Sequence, residues 1–169
     1  MSAAENLLRH RAVEAFLHRE ARLIDEWRLE EWLALFATEC AYEITPTSED
    51  EPRRLSPDTV VFIVGDDRFM LERRILRLGD DMTHSERPRS RVLHLYGNIE
   101  IRAENESDVF VEANSLVFRA RRETATLWAS TNRFHLIRCG GDYRIRSKRV
   151  MLANDALIEP GMGILSFIL

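Results

Sequence analysis

Four long segments in which apolar and polar residues alternate fill most of the chain after residue 90, and they constrain its fold more than any other feature. The separators between them are short and either polar or glycine-bearing, such as Gly140-Gly141, as hairpin connections require. The pattern predicts an antiparallel sheet over about residues 90–155. Because strands of 10–13 residues exceed the usual length, we expect the sheet to twist and curl strongly. The predicted strands are Arg91–Arg102, Val109–Arg121, Thr126–Arg138 and Tyr143–Leu152.

The last of these segments contains a change of phase. Tyr143 and Ile145 are apolar at odd positions, whereas Val150 and Leu152 are apolar at even positions. One extra residue in a strand moves every following side chain to the other face of the sheet. The change therefore predicts a β-bulge near Ser147–Arg149.

Apolar residues at helical spacing mark two other parts of the chain, about residues 5–37 and 66–79. The first part contains a long helix and a short second helix that ends before Cys40. In the second part, Asp66 and Asp67 precede the apolar series and are expected to cap its N-terminus. The long helix is defined by Leu8, Val13, Phe16, Leu17, Ala21, Ile24 and Trp27, and the short one by Trp32, Leu33, Leu35 and Phe36.

Polar connections and short apolar segments complete the chain. Residues 45–58 and 80–90 are polar and have no period, and a loop as long as the first is uncommon without a functional or interface role. Ala41–Ile44 and Val60–Val64 are typical of short strands. Residues 164–169 predict a final apolar strand, buried in the core or at an interface.

Helices at one end of a sequence and a long sheet at the other are typical of the α+β class. We expect the helices to cover the concave face of the curled, mostly antiparallel sheet, which gives a cone-shaped half barrel. A chain of 169 residues is near the usual size of one domain, so residues 1–169 are predicted to form a single domain.

Composition excludes several classes of protein. No apolar run approaches the ~20 residues of a membrane-spanning helix, and the first residues have no apolar core of a secretory signal, so no membrane is expected as a partner. Cys40 and Cys139 match no metal or redox spacing, and a reducing cytoplasm is the simplest compartment. The formal net charge of -4, without an aromatic–basic repeat, argues against nucleic acid.

Charge is distributed unevenly along the chain. Residues 1–52 have a net charge of -7 and residues 119–169 a net charge of +5, which favours ordered association with a partner or a second copy. All but one of the 24 basic residues are arginines, which are favoured in ion pairs between chains. Two arginine clusters are interface candidates, and each is equally well explained as a solvated strand end. They are Arg87, Arg89 and Arg91, and Arg119, Arg121 and Arg122.

The sequence lacks the spacing of a metal site. Iron sites need paired cysteines and histidines, or two histidines and a carboxylate. His135 stands alone before Cys139, Cys40 has no neighbouring histidine, and His84 and His94 lie on different predicted elements. We therefore expect no metal and no cofactor in this chain.

Asp25 and His94 are the candidates for acid–base chemistry. Asp25 ends the first helix, and His94 lies in the first long strand on the face shared with Tyr96. A histidine beside a carboxylate can move a proton near neutral pH. The competing interpretation is structural, because Asp25 could instead cap its helix or pair with a neighbouring arginine such as Arg22 or Arg28.

Several segments resemble the β (small) subunit of aromatic-ring-hydroxylating dioxygenases. The similarity extends over nearly the whole chain. Its most specific part is the pattern of Ser90, Arg91, His94, Asn98 and Ile99. The segments are REARLIDEWRLEEWLALF (19–36), SRVLHLYGNIEI (90–101), NSLVFRARR (114–122) and RIRSKRVMLAND (144–155).

The resemblance implies the fold of the nuclear-transport-factor-2 (NTF2) and scytalone-dehydratase group. It also implies a subunit without iron or catalytic residues, which forms a homotrimer and supports three α subunits in an α3β3 complex. In that family the α subunits hold a Rieske [2Fe–2S] cluster and a mononuclear iron. The complex adds both atoms of dioxygen to an aromatic ring, with electrons from NADH delivered through partner proteins.

The leading interpretation is therefore a non-catalytic structural β subunit that takes part in the degradation of aromatic compounds. One alternative is a free-standing dehydratase or isomerase of the same fold that uses His94 and Asp25. A further alternative is a small-ligand binding module, which would have a pocket without an acid–base pair.

Overall fold

Three helices and six strands make up the described part of the chain, which in this computed structural model comprises residues 2–45, 63–79, 88–154 and 168–169. This is an α+β arrangement, as predicted. In chain order the elements are α1 (Ala3–Asp25), α2 (Leu29–Leu33), β1 (Phe36–Thr45), β2 (Val64–Asp67), α3 (Arg68–Gly79), β3 (Arg91–Glu104), β4 (Asp108–Arg121), β5 (Thr124–Cys139) and β6 (Asp142–Leu152).

The six strands form one mixed sheet in the order β2-β1-β6-β5-β4-β3. Neighbouring strands are antiparallel except β1 and β6, which are parallel. The four long predicted strands are present as β3 to β6, with each boundary within two residues of the prediction. The alternation of apolar and polar residues predicts these strands well because one face of each long strand is buried and the other faces solvent.

The sheet is not strongly curled, so the prediction of a strongly curled half barrel is wrong. That prediction used strand length alone. The ladder between β4 and β5 runs from the Asp108–Ile137 pair to the Arg121–Thr124 pair without a register shift. Bulges are the features that bend a sheet, and the central ladder contains none.

A bulge does interrupt the ladder between β5 and β6. His135 pairs with Ser147, but Leu136 pairs with Ile145, so Arg146 is the extra residue. The bulge thus lies one residue before the predicted range. It accounts for the change of phase that the sequence displays in this strand.

The second predicted helix extends too far into the following segment. Leu33 is the last residue of α2, and Phe36, which we had assigned to its buried side, begins β1. Phe36 pairs with Ile145 in the parallel ladder, and the Leu35 carbonyl accepts the Ile145 N–H at 2.8 Å. Pairing with a strand near the other end of the chain thus overrides the local helical spacing.

One of the two predicted caps of α3 is present. The Asp67 carboxylate accepts the backbone N–H of Met70 at 2.9 Å. Asp66 instead accepts a hydrogen bond from Arg74 Nε at 2.5 Å. Most of the predicted strand Val60–Val64 lies outside the described residues.

The helices pack on one face of the sheet, which we name the inner face, and the opposite face is the outer face. α1 lies against β3, and α3 lies near β1 and β2. Of the predicted final strand 164–169, residues 164–167 lie outside the described residues. Ile168 and Leu169 are buried in the core but belong to no strand. None of the described helices is long and apolar enough to cross a bilayer.

Candidate functional site

Asp25 and His94, the predicted acid–base pair, are in direct contact. His94 Nδ1 lies 2.7 Å from Asp25 Oδ1. The backbone N–H of His94 also donates to both oxygens of that carboxylate, at 3.1 Å each. The His94 side chain is 0% exposed and the Asp25 side chain 17% exposed. The contact thus joins the end of α1 to the inner face of β3.

The hydrogen bonds define which nitrogen of His94 is basic. A carboxylate accepts, so Nδ1 carries the proton and Nε2 of the neutral ring has a free lone pair. Nε2 is buried and has no hydrogen-bond partner within the described part of the chain. A histidine held this way by a carboxylate has the geometry of a general base.

Trp27 fixes the end of α1 beside β3. Trp27 lies two residues after Asp25, the last residue of α1, and its left-handed backbone conformation with φ of 56° stops the helix there. Its indole N–H donates to the Ser90 carbonyl at 3.1 Å, immediately before β3 begins. This hydrogen bond holds the Asp25 carboxylate at the level of His94.

A second buried polar cluster, which the sequence analysis missed, surrounds Glu20 on α1. Lys148 Nζ donates to Glu20 Oε1 at 2.8 Å, and both side chains are 0% exposed. Trp32 Nε1 donates to the same oxygen at 2.7 Å, and the Tyr96 hydroxyl donates to Oε2 at 2.9 Å. Burial lowers the pKa of Lys148 and raises the pKa of Tyr96, and the nearby Glu20 charge raises the Tyr96 pKa further.

Two signals in the sequence could have revealed this pair. Glu20 lies one helical turn from both Phe16 and Ile24, on the apolar face of α1. Lys148 is the only lysine of the chain, and it follows the change of phase in β6. The bulge at Arg146 turns the Lys148 side chain towards the helices.

The outer face carries a cluster of large apolar side chains on β3, β4 and β5, which we name the apolar patch. Leu93 pairs with Phe118, which pairs in turn with Leu127, and Leu95 pairs with Leu116. These five side chains are between 44% and 58% exposed. Contiguous exposed apolar surface of this kind marks an interaction site.

Beyond the apolar patch, a row of alternating charges crosses the outer face. Arg102 and Arg133 donate to Glu112 at 2.6 and 2.9 Å, and Arg149 donates to Glu43 at 2.6 Å. Burial acts to raise the pKa of Glu112, but the two arginines outweigh it and hold that pKa below its usual value. The row lines a groove of about 750 Å³.

The predicted interface arginines gather at one end of the sheet, except Arg87, which lies outside the described residues. Arg89 stacks on the Trp27 ring at 5.3 Å, and Arg121 Nε donates to the Pro88 carbonyl at 3.0 Å. Arg119 is only 8% exposed and donates to Ser90 Oγ at 2.8 Å. Arg91 and Arg122 are exposed, beside the apolar patch and in the turn between β4 and β5.

No group of three or more histidine, cysteine, aspartate or glutamate residues in the described ranges is arranged to hold a metal ion. Cys40 and Cys139 are free, and His135 contacts Asp108 at 2.6 Å instead of approaching a ligand set.

Solved structures place this arrangement among NTF2-like proteins. The chain superimposes on an NTF2-like protein of Novosphingobium aromaticivorans with a TM-score of 0.61 at 16% identity, over 92% of this chain and 89% of that one. Naphthalene 1,2-dioxygenase gives a TM-score of 0.79 at 18% identity, over 99% and 95%. The β subunit of benzoate 1,2-dioxygenase from Burkholderia mallei gives 0.72 at 24% identity, over 89% and 95%.

Sequence comparison assigns the chain to one family among the proteins of this fold. Residues 19–159 match the family described as ring hydroxylating beta subunit. The small oxygenase component of the p-cumate 2,3-dioxygenase system of Pseudomonas putida is 37% identical over 149 residues, 88% of this chain and 82% of that protein. The chain belongs to the ring-hydroxylating β-subunit family, and it is a small subunit of an aromatic-ring-hydroxylating dioxygenase with an oxygenase α subunit as its partner.

Proposed function

We propose that this chain forms a homotrimer that supports three α subunits in an α3β3 dioxygenase, and that it supplies no catalytic group. The Rieske cluster and the mononuclear iron belong to the α subunit, and electrons from NADH reach them through partner proteins. The complex acts in the cytoplasm in the degradation of aromatic compounds. Family membership supports this division of labour.

The apolar patch is the observation that carries the proposal. Five large apolar side chains on three adjacent strands stay about half exposed in the single chain. Covering them with another subunit removes apolar surface from water, at about 25 cal/mol per Å². Arg91 lies beside the patch in β3, and interfaces commonly combine an apolar centre with arginine at or near it.

Light scattering coupled to size-exclusion chromatography tests this proposal. The purified chain is expected at three times the 19.7 kDa of one copy, and a larger complex is expected after co-expression with its α subunit. Phe118→Glu places a charge in the patch and should reduce the trimer to monomers. Leu76→Glu, at an apolar and even more exposed position on α3, is the control and should leave the trimer intact. A Phe118→Glu chain that remains trimeric contradicts the assignment of the patch.

The contact between His94 and Asp25 favours a second candidate, an acid–base function of the chain itself. The 2.7 Å hydrogen bond and the unpartnered Nε2 are what a dehydratase or isomerase of this fold needs. In this alternative, His94 Nε2 takes or gives the proton, and Asp25 holds the ring.

Reconstituted dioxygenase distinguishes the two candidates. His94→Gln and Asp25→Asn keep approximate size while they remove the basic nitrogen and the carboxylate. If the chain is only a support, complexes with either variant that retain α3β3 mass turn over at the wild-type rate. A rate that falls at least tenfold in a fully assembled complex favours the acid–base function instead. Leu76→Glu is again the control, because it changes the surface without reaching His94 or Asp25.

A further inference from the structure

Ile168 and Leu169 are buried between the helices and the sheet. They are 2% and 3% exposed, although neither belongs to a helix or a strand. The Leu169 carbonyl oxygen accepts hydrogen bonds from Lys148 Nζ at 2.8 Å and from the Tyr42 hydroxyl at 3.0 Å. The Leu169 N–H donates to the same hydroxyl at 3.1 Å. Lys148 and Tyr42 thus hold the backbone of Leu169, and we name these two side chains the anchor.

Apolar side chains surround Ile168. Ile168 lines a residual cavity of only about 10 Å³, so its side chain fills nearly all the space there. The remaining lining is apolar, and it joins α1, α2, α3 and β3. These residues are Ile24, Trp27, Leu29, Leu78 and Val92.

The anchor would persist without its present occupant. Lys148 is held by Glu20 at 2.8 Å and by three aromatic rings, those of Phe134, Tyr42 and Tyr96, whose centroids lie 5.5 to 5.9 Å from Nζ. Fixed donors at one end and apolar walls at the other are the usual composition of a small-molecule site.

His94 is a second polar side chain on the inner face of β3. It lies two residues from Tyr96 on the inner face of β3, and Val92 of the cavity wall lies two residues on the other side. Its buried Nε2 has no partner within the described residues. Buried polar atoms are nearly always paired, and one left over marks a place for a ligand group or a water molecule.

We infer that Ile168 and Leu169 occupy an interior binding site of this chain, whose ligand class is a small apolar molecule with a carbonyl or carboxylate oxygen at one end. The oxygen would accept from Lys148 and Tyr42, and the apolar part would take the place of the Ile168 and Leu169 side chains. The chain therefore keeps its own site filled.

A chain without Ile168 and Leu169 tests the inference, with the peptide acetyl-Ile-Leu added in trans as the probe. The shortened chain is expected to melt at a lower temperature than the full chain. Acetyl-Ile-Leu should raise that melting temperature with a saturable dependence on peptide concentration, because a ligand that binds only the folded state stabilises it. The full chain, whose site is filled, should show no shift.

Three comparisons make the result specific. Lys148→Met combined with Glu20→Gln in the shortened chain removes the anchor without leaving the Glu20 charge uncompensated, and it should abolish the shift. Leu71→Ala in the full chain creates an apolar cavity on α3 without the anchor and should show no shift. The amide and the free acid of the peptide distinguish a neutral oxygen from a carboxylate as the preferred acceptor.

The outcome is decisive in either direction. If the shortened chain does not fold, the full chain with Ile168→Ala and Leu169→Ala takes its place in the same titration. A folded chain of either kind that neither form of the peptide stabilises overturns the inference. The assembly state does not enter this test, so the trimer proposal can fail without affecting it.

Discussion

Glu20 of α1 and Lys148 of β6 form an ion pair that is completely buried, with 2.8 Å between Oε1 and Nζ. The pair joins the helical layer to the sheet through the middle of the core. Trp32 and Tyr96 donate two further hydrogen bonds to the carboxylate. Removing two charges from water is unfavourable, so such a pair depends on every partner being present.

Removing one member of this pair is expected to destabilise the chain strongly. Lys148→Met leaves the Glu20 charge buried without compensation, which should lower the free energy of unfolding by about 3–5 kcal/mol. Adding Glu20→Gln removes that charge, so the double variant should recover part of the loss. Urea unfolding measures both changes, and simple additivity of the two substitutions would contradict the coupling.

The Asp25 carboxylate is expected to stabilise the junction of α1 and β3. Asp25→Ala leaves two buried donors of His94, the backbone N–H and Nδ1, without their acceptor, and should cost about 1–3 kcal/mol for each donor left unsatisfied. Nitrogen chemical shifts of the neutral wild-type ring should place its proton on Nδ1 and not on Nε2. A ring protonated mainly at Nε2 would contradict the assigned hydrogen bond.

The outer-face carboxylate Glu112 predicts a loss of stability in acid. Its pKa in the folded chain lies below the ordinary value near 4.5, because hydrogen bonds from Arg133 and Arg102 outweigh the effect of burial. Its contribution is therefore complete above that ordinary value and disappears as the pH falls through the lower folded pKa. Glu112→Gln should be less stable than wild type at pH 7, by about 1 kcal/mol or less because the pair lies near the surface. The difference should vanish in acid, and urea midpoints between pH 2 and 7 measure it.

The ladder between β3 and β4 also contains a bulge, which predicts a strong dependence on residue type at Asn98. Asn98 has φ of 51°, and the register between β3 and β4 shifts between Gly97 and Glu100. A β-branched residue is strained in this left-handed conformation, so Asn98→Val should destabilise the chain by about 1–2 kcal/mol. Asn98→Gly is the control and should change stability little. Equal losses of stability in Asn98→Val and Asn98→Gly would show that contacts of the Asn98 side chain, and not its backbone conformation, determine the effect.

Much of the fold could be predicted from alternation and helical spacing. The four long strands follow directly from side chains that alternate between a buried face and a solvent face. The parallel pairing of β1 with β6 could not be predicted, because nothing near Phe36 specifies a partner that far along the chain. The degree of curl also depends on where bulges interrupt the ladders, and strand length does not determine this.

The candidate site was predictable only in part. Asp25 and His94 were identified because one ends a helix and the other lies inward on a strand, and the structure brings them together. The Glu20–Lys148 pair was missed because its detection requires the exact position of the bulge at Arg146. A shift of one residue would have turned Lys148 to the outer face, where a lysine needs no partner. The burial of Ile168 and Leu169 was predicted from the apolar run that contains them, but their contacts with Tyr42, Lys148 and the helices were not, because no local pattern encodes partners so distant in the chain.

The parallel contact between β1 and β6 has a consequence for synthesis on the ribosome. β1 is synthesised well before β6, the strand beside which it must lie. The hairpins of β3, β4 and β5 pair with close neighbours and are able to form while translation continues. The edge of β1 that pairs with β6 therefore stays uncovered until β6 is made, so conditions that slow elongation between the two strands should increase the need of the nascent chain for chaperones.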